Sequence, residues 1–581
     1  MTAFPVVNCI LCRCHGEIGD IVSFNRLQRQ LAGDDRVASV EICDALCLGD
    51  ILANLARRMQ ADNGTRLLIA GCSPLARGED LIDRLEADGV DPARVMVTDI
   101  REGCAWIHAA QSEAATAKAA DLIRMGITAL RYREAPPDID IAVCQRVLVM
   151  GGGPAGLAAA AALGRAGVAV TLVEATGRLG GMLNYLGWVA PTNQGADAMR
   201  EPLVEAIQND PHIQVHLGTR VAELSGSAGN FEARLSGKNG ETHLTAGAVI
   251  VATGAKPRLS RGIYRYGELP GVISGMEMEK AFRDGGPIGG DTVFIQCVNV
   301  RNQERSYCSA VCCPAALKNA IRLKEGDPGM AVTILHRDIM SPGRQLEALY
   351  RRATAAGVLF IRFDPQEPPR IEGRDKVTGV TVADALSGRE RSIAAQRVVL
   401  STPLEPRENR ALPLPAERHG FYWVQPFLHT VETTAPGLFV CGAARWPVMA
   451  EGAMTQGRAA AAKALHLVSR PVCQASRLIG FQKARAACAR VLPETCTGCG
   501  NCVAVCPFEA CRLEQTPTGW RAAVDPVRCM GCGSCTAACP NQSAVLSASG
   551  SPAMARLVVD AFAGRQDGRP CRTTQGSVAD Q

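Results

Sequence analysis

Cys496, Cys499, Cys502 and Cys506 precede Pro507, and Cys529, Cys532, Cys535 and Cys539 precede Pro540, so the spacing C-x2-C-x2-C-x3-C-P is written twice in one short stretch. Three cysteines in such a tight loop cap three irons of a cube, while the fourth swings away to the neighbouring cluster. The spacing therefore predicts one 4Fe-4S cube held by Cys496, Cys499, Cys502 and Cys539, and a second held by Cys529, Cys532, Cys535 and Cys506. A pair of zinc ribbons fits less well, because C-x2-C-x2-C crowds three sulfurs into one loop. Cys473, Cys488 and Cys511 fall outside the repeat and read as ordinary thiols.

The chain carries 25 cysteines in 581 residues, more than packing accounts for. Disulfides are the other use for so many thiols, but MTAFPVVNCILC lacks the basic start and long apolar run of a secretory signal. A reducing, cytoplasmic setting and metal ligation are the expectation. The most apolar stretch, GLAAAAALGRAGVAVTLVEA, is broken by Gly164, Arg165 and Gly167. It falls short of the roughly 18 unbroken apolar residues of a membrane span. A formal net charge of +5 would be offset by anionic thiolate-bound clusters, so no nucleic-acid partner is expected. No Ser-His-Asp, His-Glu-x-x-His or P-loop pattern points to hydrolysis or phosphoryl transfer.

Three folding units and a tail are expected along the chain. Residues 1–134 alternate strand-like runs (Phe4–Ile10, Val37–Ile42, Arg66–Ala70, Arg94–Ile100) with helical stretches (Ile51–Met59, Asp80–Ala87, Ala117–Arg131), the pattern of a small parallel α/β domain. Pro136 and Pro137 break either regular structure and mark a linker. A second α/β domain spans 145–468, and the cysteine repeat defines a third, α+β unit of ferredoxin type at 486–550. Residues 565–581 are polar and aperiodic, which predicts a disordered tail.

The second domain opens on a dinucleotide fingerprint. The buried-strand run Arg146–Met150 leads into Gly151, Gly152, Gly153, Pro154, Ala155 and Gly156, then an alanine-rich helix, then Val168–Val173 and Glu174. Gly151 makes the turn, Gly153 lets backbone approach a pyrophosphate at the helix N-terminus, Gly156 permits close packing, and Glu174 meets the ribose hydroxyls. The continuation ATGRLGGML and the later run AVIVATGAKP resemble the two-dinucleotide-binding-domain flavoproteins of thioredoxin-reductase type. That resemblance implies FAD at this site, with Arg178, Gly181, Val221, Thr253, Gly254 and Gly442 among its contacts. In PGLFVCGAAR the acid that usually follows Gly442 is replaced by Ala443.

In that class a second glycine loop binds NAD(P)H about midway along the domain. Here the corresponding strand, Asp291–Ile295, runs into QCVNVRNQERSYCSAVCC. Cys297, Cys308, Cys312 and Cys313 are too crowded for a nicotinamide cradle and sufficient for a further 4Fe-4S cube.

With YCSAVCCPAALKNA as its most specific segment, the chain resembles the A subunit of heterodisulfide reductase over nearly its whole length. The resemblance implies that these four cysteines bind a cluster beside the flavin, and that Lys318 approaches the flavin ring and stabilises its reduced states. Residues 184–217 contain no cysteine, so the ferredoxin inserted there in methanogen members is absent.

In the first domain, Cys12, Cys14, Cys47, Cys72 and Cys104 lie just past predicted strand ends, where open parallel sheets gather ligands. CRCHGEIG, LLIAGCSP and DIREGCAWIH resemble the cluster-bearing N-terminal domain of that same family. The expected ligands are Cys14, Cys47, Cys72 and Cys104, with Cys12 as substitute, Cys9 and Cys43 as extras, and His15 and His108 as polar neighbours. Four cubes would bring about sixteen irons per chain.

The function implied is that of a cytoplasmic FAD and iron–sulfur subunit of a heterodisulfide-reductase-like complex. It would pass electrons between flavin and clusters, with flavin-based bifurcation as one mode, and work with other redox subunits and a ferredoxin-like carrier in a hetero-oligomer or dimer. The alternatives are an NAD(P)H-dependent oxidoreductase resembling the small subunit of glutamate synthase, against which the lost second glycine loop argues, and a non-catalytic cluster relay.

Overall fold

The computed structural model describes residues 4–62, 64–133, 140–238, 240–285, 288–407, 412, 414–424, 431–433, 435–474, 488–546 and 551–562. The expected linker prolines and the expected tail lie outside the described residues. The chain divides into two compact units, one of residues 1–140 with 474–581 and the other of residues 141–473.

In the first unit β1 (Val7–Cys12), β2 (Val37–Cys43), β3 (Arg66–Gly71) and β4 (Val95–Asp99) form a parallel sheet in the order β2-β1-β3-β4. Successive side chains along a strand point to opposite faces. Val7, Cys9 and Leu11 therefore meet α1 (Phe24–Ala32) and α4 (Ser112–Tyr132), while Ile10 and Cys12 meet α2 (Ile51–Ala61) and α3 (Glu79–Ala87). This division of the faces later decides which cysteines meet.

The second unit holds two parallel sheets. β5 (Arg146–Met150) is followed by α5 (Pro154–Arg165), β6 (Ala169–Glu174), β7 (Ile213–Leu217) and β8 (Ala248–Val251). β9 (Val272–Ser274), α6 (Gly275–Arg283), β10 (Thr292–Ile295), α7 (Cys312–Gly326), β11 (Val332–His336), β12 (Leu359–Arg362) and β13 (Arg397–Leu400) build the second layer. The chain then returns through β14 (Leu438–Val440) and α8 (Ala450–Val468) to the first. The strand orders are β7-β6-β5-β8-β14 and β9-β13-β10-β11-β12, two doubly wound dinucleotide-type sheets.

The cysteine-rich segment closes the chain. Ala489–Val491 pairs with Ala544–Leu546, and Cys511–Thr516 forms a hairpin with Gly519–Val524. Short helices follow the two cysteine loops, at Asn501–Ala504 and Ser534–Ala538. A last helix, α9 (Ser551–Phe562), packs against α4. It lies beyond the predicted ferredoxin limits, and sequence pattern alone does not announce it. Among the described residues no helix is long and apolar enough to cross a membrane.

Candidate functional site

At the end of β5 the chain turns at Gly151 with φ +109° and enters α5 at Pro154. A Cβ at Gly151 would stand 2.3 Å from the Ala252 carbonyl oxygen, and one at Gly156 only 1.8 Å from the Gly151 oxygen. Glycine is therefore required for turn, helix and β8 to meet. Glu174, at the end of β6, accepts the Gly152 N–H at 2.7 Å through Oε2 and the Thr176 N–H at 2.7 Å through Oε1.

A cavity of about 820 Å³ opens around this turn. Gly151, Gly153, Pro154, Ala155 and Glu174 line it, and so do Arg178, Gly181, Val221, Thr253 and Gly254. Gly152 and Gly156 shape the turn behind the wall. Gly442 also stands behind it: its N–H donates to Gln456 Oε1 at 2.9 Å, and its neighbour Ala443 reaches the cavity. Thr253 Oγ1 and Glu279 Oε2 belong to residues on the wall and are buried with no hydrogen-bond partner among the described residues. A glycine cradle, an acid at the strand end and unspent polar atoms suit an FAD.

α6 and α7 supply the far wall. Lys318 Nζ donates to Glu279 Oε1 at 2.6 Å and to Asn319 Oδ1 at 2.8 Å, and Asn319 Nδ2 donates to the same Glu279 oxygen at 2.7 Å. All three are buried. Burial pulls the Lys318 ammonium below its ordinary pKa, and the Glu279 charge opposes that pull. Sequence reasoning missed Glu279 and Asn319. In MEMEK, Glu277 and Glu279 look alike, but Glu277 closes a capping box with Ser274, leaving Glu279 beside Met278 on the buried side of α6.

The loop after β10 bears the second-unit cysteines. Cys297 adopts φ +58°, Cys308 Sγ accepts the Ala310 N–H at 3.4 Å, and Cys312 and Cys313 begin α7. The Cys312 thiol is pushed up by burial and by the nearby sulfurs of Cys313, Cys297 and Cys308, so the four share one neighbourhood. Cys312 also lines the cavity, on the same helix as Lys318 and Asn319.

In the cysteine repeat, one pocket is lined by Cys496, Cys499, Cys502 and Cys539, another by Cys506, Cys529, Cys532 and Cys535, with Cys511, outside the repeat, also on its wall. Each thus joins three residues of one loop to one from the other. Backbone N–H groups point at the sulfurs: Ala510 to Cys506 at 3.2 Å, Ser543 to Cys539 at 3.2 Å, Ala489 to Cys529 at 3.3 Å. Such donors favour thiolate ligands and the cubes they hold.

In the amino-terminal sheet the structure redistributes the candidates. Cys12 and Cys43 are paired in register at the carboxyl ends of β1 and β2. The Cys12 thiol is lowered, first by a hydrogen bond from Cys43 and then, against burial, by the N–H groups of Leu46 and Cys14. Cys14 and Cys47 pack at the same edge, and the sulfurs of Cys14 and Cys12 bear on Cys72, which burial raises to about 11. Cys104 is elsewhere. It is fully buried against α4, with its thiol donating to the Ala115 oxygen at 3.2 Å. Cys9 lies on that face too, with burial raising its thiol to about 12. His15 pairs with Asp44 at 2.9 Å and His108 Nε2 lies 3.5 Å from Lys118 Nζ. Among the described residues no three Cys, His, Asp or Glu groups converge tightly enough for a single metal ion. A cube takes one thiolate at each of its four irons and spaces them more widely than a single ion does.

Two family models match the chain: "Pyridine nucleotide-disulphide oxidoreductase" over residues 145–286 and "4Fe-4S dicluster domain" over residues 495–544. The first match ends before β10 and the cysteine loop. The A subunit of the Methanosarcina mazei ferredoxin:CoB-CoM heterodisulfide reductase is 29% identical, covering 86% of this chain and 74% of that protein. The second iron-sulfur A subunit of the Methanopyrus kandleri CoB–CoM heterodisulfide reductase is 26% identical over 88% of this chain and 91% of its own. Among solved structures, T. acidophilum thioredoxin reductase covers 56% of this chain and 99% of its own, at 19% identity and a TM-score of 0.41. Dinucleotide sheets, flavin cradle and dicluster segment together define an FAD and iron–sulfur oxidoreductase. More particularly, the chain is similar over most of its length to A subunits of heterodisulfide reductase, and its residues 184–217 contain no cysteine.

Proposed function

We propose that this chain is the flavin-bearing electron-transfer subunit of a heterodisulfide-reductase-like complex in the cytoplasm. One observation carries the reading: α7 begins with Cys312 and Cys313, where a second nucleotide loop would lie, and continues to Lys318 in the wall of the flavin cavity. FAD supplies the exchange between paired and single electrons, and the clusters carry the single ones. The chain's own residues do the rest. The Gly151–Gly156 turn and the N-terminus of α5 receive the pyrophosphate, and Glu174 faces the ribose. Lys318, fixed by Glu279 and Asn319, presents positive charge to the ring.

Cys297, Cys308, Cys312 and Cys313 would hold the cluster nearest the flavin, and the dicluster segment would connect to partner redox subunits or a ferredoxin-like carrier. The two Methanosarcina and Methanopyrus relatives are named as subunits of such reductases. The test is anaerobic addition of NADH and NADPH to the purified protein. Flavin absorbance should persist until a low-potential reductant is supplied. Prompt bleaching by either nucleotide would overturn the reading in favour of a self-sufficient NAD(P)H oxidoreductase.

A further inference from the structure

The turn after β4 is built tightly. Asp99 accepts the Arg101 N–H at 3.0 Å and the Gly103 N–H at 2.8 Å, so the chain winds back on itself. That winding sends Cys104 into the α4 face of the sheet and leaves Arg101 and Glu102 at the carboxyl edge, among the other cysteines. Arg101 Nη1 donates to Cys14 Sγ at 3.0 Å and Nη2 to Glu102 Oε1 at 2.7 Å. Glu102 Oε2 accepts the N–H of Ser73, the residue after Cys72, at 2.7 Å. The guanidinium also lies 4.9 Å from the centroid of the Trp106 ring, and its Nε is buried with no partner among the described residues.

We propose that β4 serves the amino-terminal cluster through Arg101 and Glu102 instead of a cysteine ligand: Arg101 raises the reduction potential of a cluster held by thiols from the β1, β2 and β3 ends, and Cys104 is a core residue. The inference rests on the reading that this edge binds a 4Fe-4S cube. A fixed positive charge bonded to a ligand sulfur stabilises the more negative, reduced cluster. Arg101's Nε, itself buried and without a partner among the described residues, is a second donor on the same half-buried guanidinium. The couple moves one electron, with no bond made or broken. Glu102 acts as the positioning residue, tying the arginine to the backbone beside Cys72 and so holding two ligand loops together.

The test compares the whole protein with Arg101→Gln, Arg101→Lys, Cys104→Ala and Cys72→Ala, by iron content and by anaerobic redox titration followed by electron paramagnetic resonance. Arg101→Gln should keep its iron and lower one cluster couple alone. The expected drop is about tenfold in the reduced-to-oxidised ratio at a given potential, or about 59 mV for one electron. Arg101→Lys should fall between, and Cys104→Ala should keep full iron. Unmoved couples in iron-replete Arg101→Gln, or loss of one cube's iron in Cys104→Ala or in both Arg101 variants, would overturn the inference. Cys72→Ala tests the underlying reading separately. Full iron there, with all couples present, would show that this edge binds no cluster.

Discussion

Lys318 Nζ lies 2.6 Å from Glu279 Oε1, and the two side chains are only 5% and 3% exposed in the wall of the flavin cavity. Removing one member of a buried pair strands the other, at a cost of about 3–5 kcal/mol, whereas removing both together costs far less. Lys318→Met should therefore keep iron and FAD, lower the thermal midpoint and lower the flavin potential, because a cation that favours reduced, anionic flavin is gone. Lys318→Met combined with Glu279→Gln should recover stability but not potential. An unchanged flavin titration in Lys318→Met would remove the lysine's role.

Asp560 of α9 is buried and accepts from Arg36 at 2.8 Å and from Thr128, while Arg36 grips Asp34 with Nε at 2.8 Å and Nη2 at 2.6 Å. Arg36→Met should detach α9, and faster hydrogen exchange over residues 551–562 is the measurement. The same network sets a pH dependence. Burial works against the Asp34 carboxylate, but bonds and charge from Arg36 hold it below its ordinary range. A carboxylate depressed on folding contributes stability above its unfolded pKa of about 3.9, and loses it as pH falls through the folded value. Thermal midpoints of the protein and of Asp34→Asn should therefore differ at neutral pH and converge in acid.

Much of this was legible in local pattern. The strand run Arg146–Met150 matches β5 residue for residue, and Ala117–Arg131 falls inside α4. Parallel strands buried on both faces read as plain apolar runs, and cysteine spacing survives without tertiary context. What stayed hidden depended on geometry that spacing does not encode. Cys104 follows a strand end as Cys72 does, yet the Asp99-capped turn sends it to the other face of the sheet. Glu279 differs from Glu277 only in helical phase, and α9 is held by Asp560, a polar contact more than 400 positions from its partner Thr128 in sequence.

The pocket that joins Cys506 to Cys529, Cys532 and Cys535 makes a prediction opposite to sequence order. Cys506→Ser should perturb the cluster of the second loop, 529–535, and leave the one held by its own neighbours Cys496, Cys499 and Cys502. Paired with Cys539→Ser, which should do the reverse, the two variants should give complementary electron paramagnetic resonance spectra. Identical losses would mean that each loop serves its own cube.

Gly156 separates the flavin from the rest of the redox chain most cleanly, because its constraint is steric and local. A methyl group there would sit 1.8 Å from the Gly151 oxygen, less than any contact a packed structure tolerates, so helix α5 would have to move off the turn. The turn's amides and the N-terminus of α5 recognise the pyrophosphate only in their present register. None of the cysteines lies on this turn. Gly156→Ala should therefore lose the yellow flavin absorbance while iron stays at the level of the unaltered protein. If iron falls in parallel with flavin, the second unit needs its dinucleotide to fold, and the flavin is structural as well as redox-active.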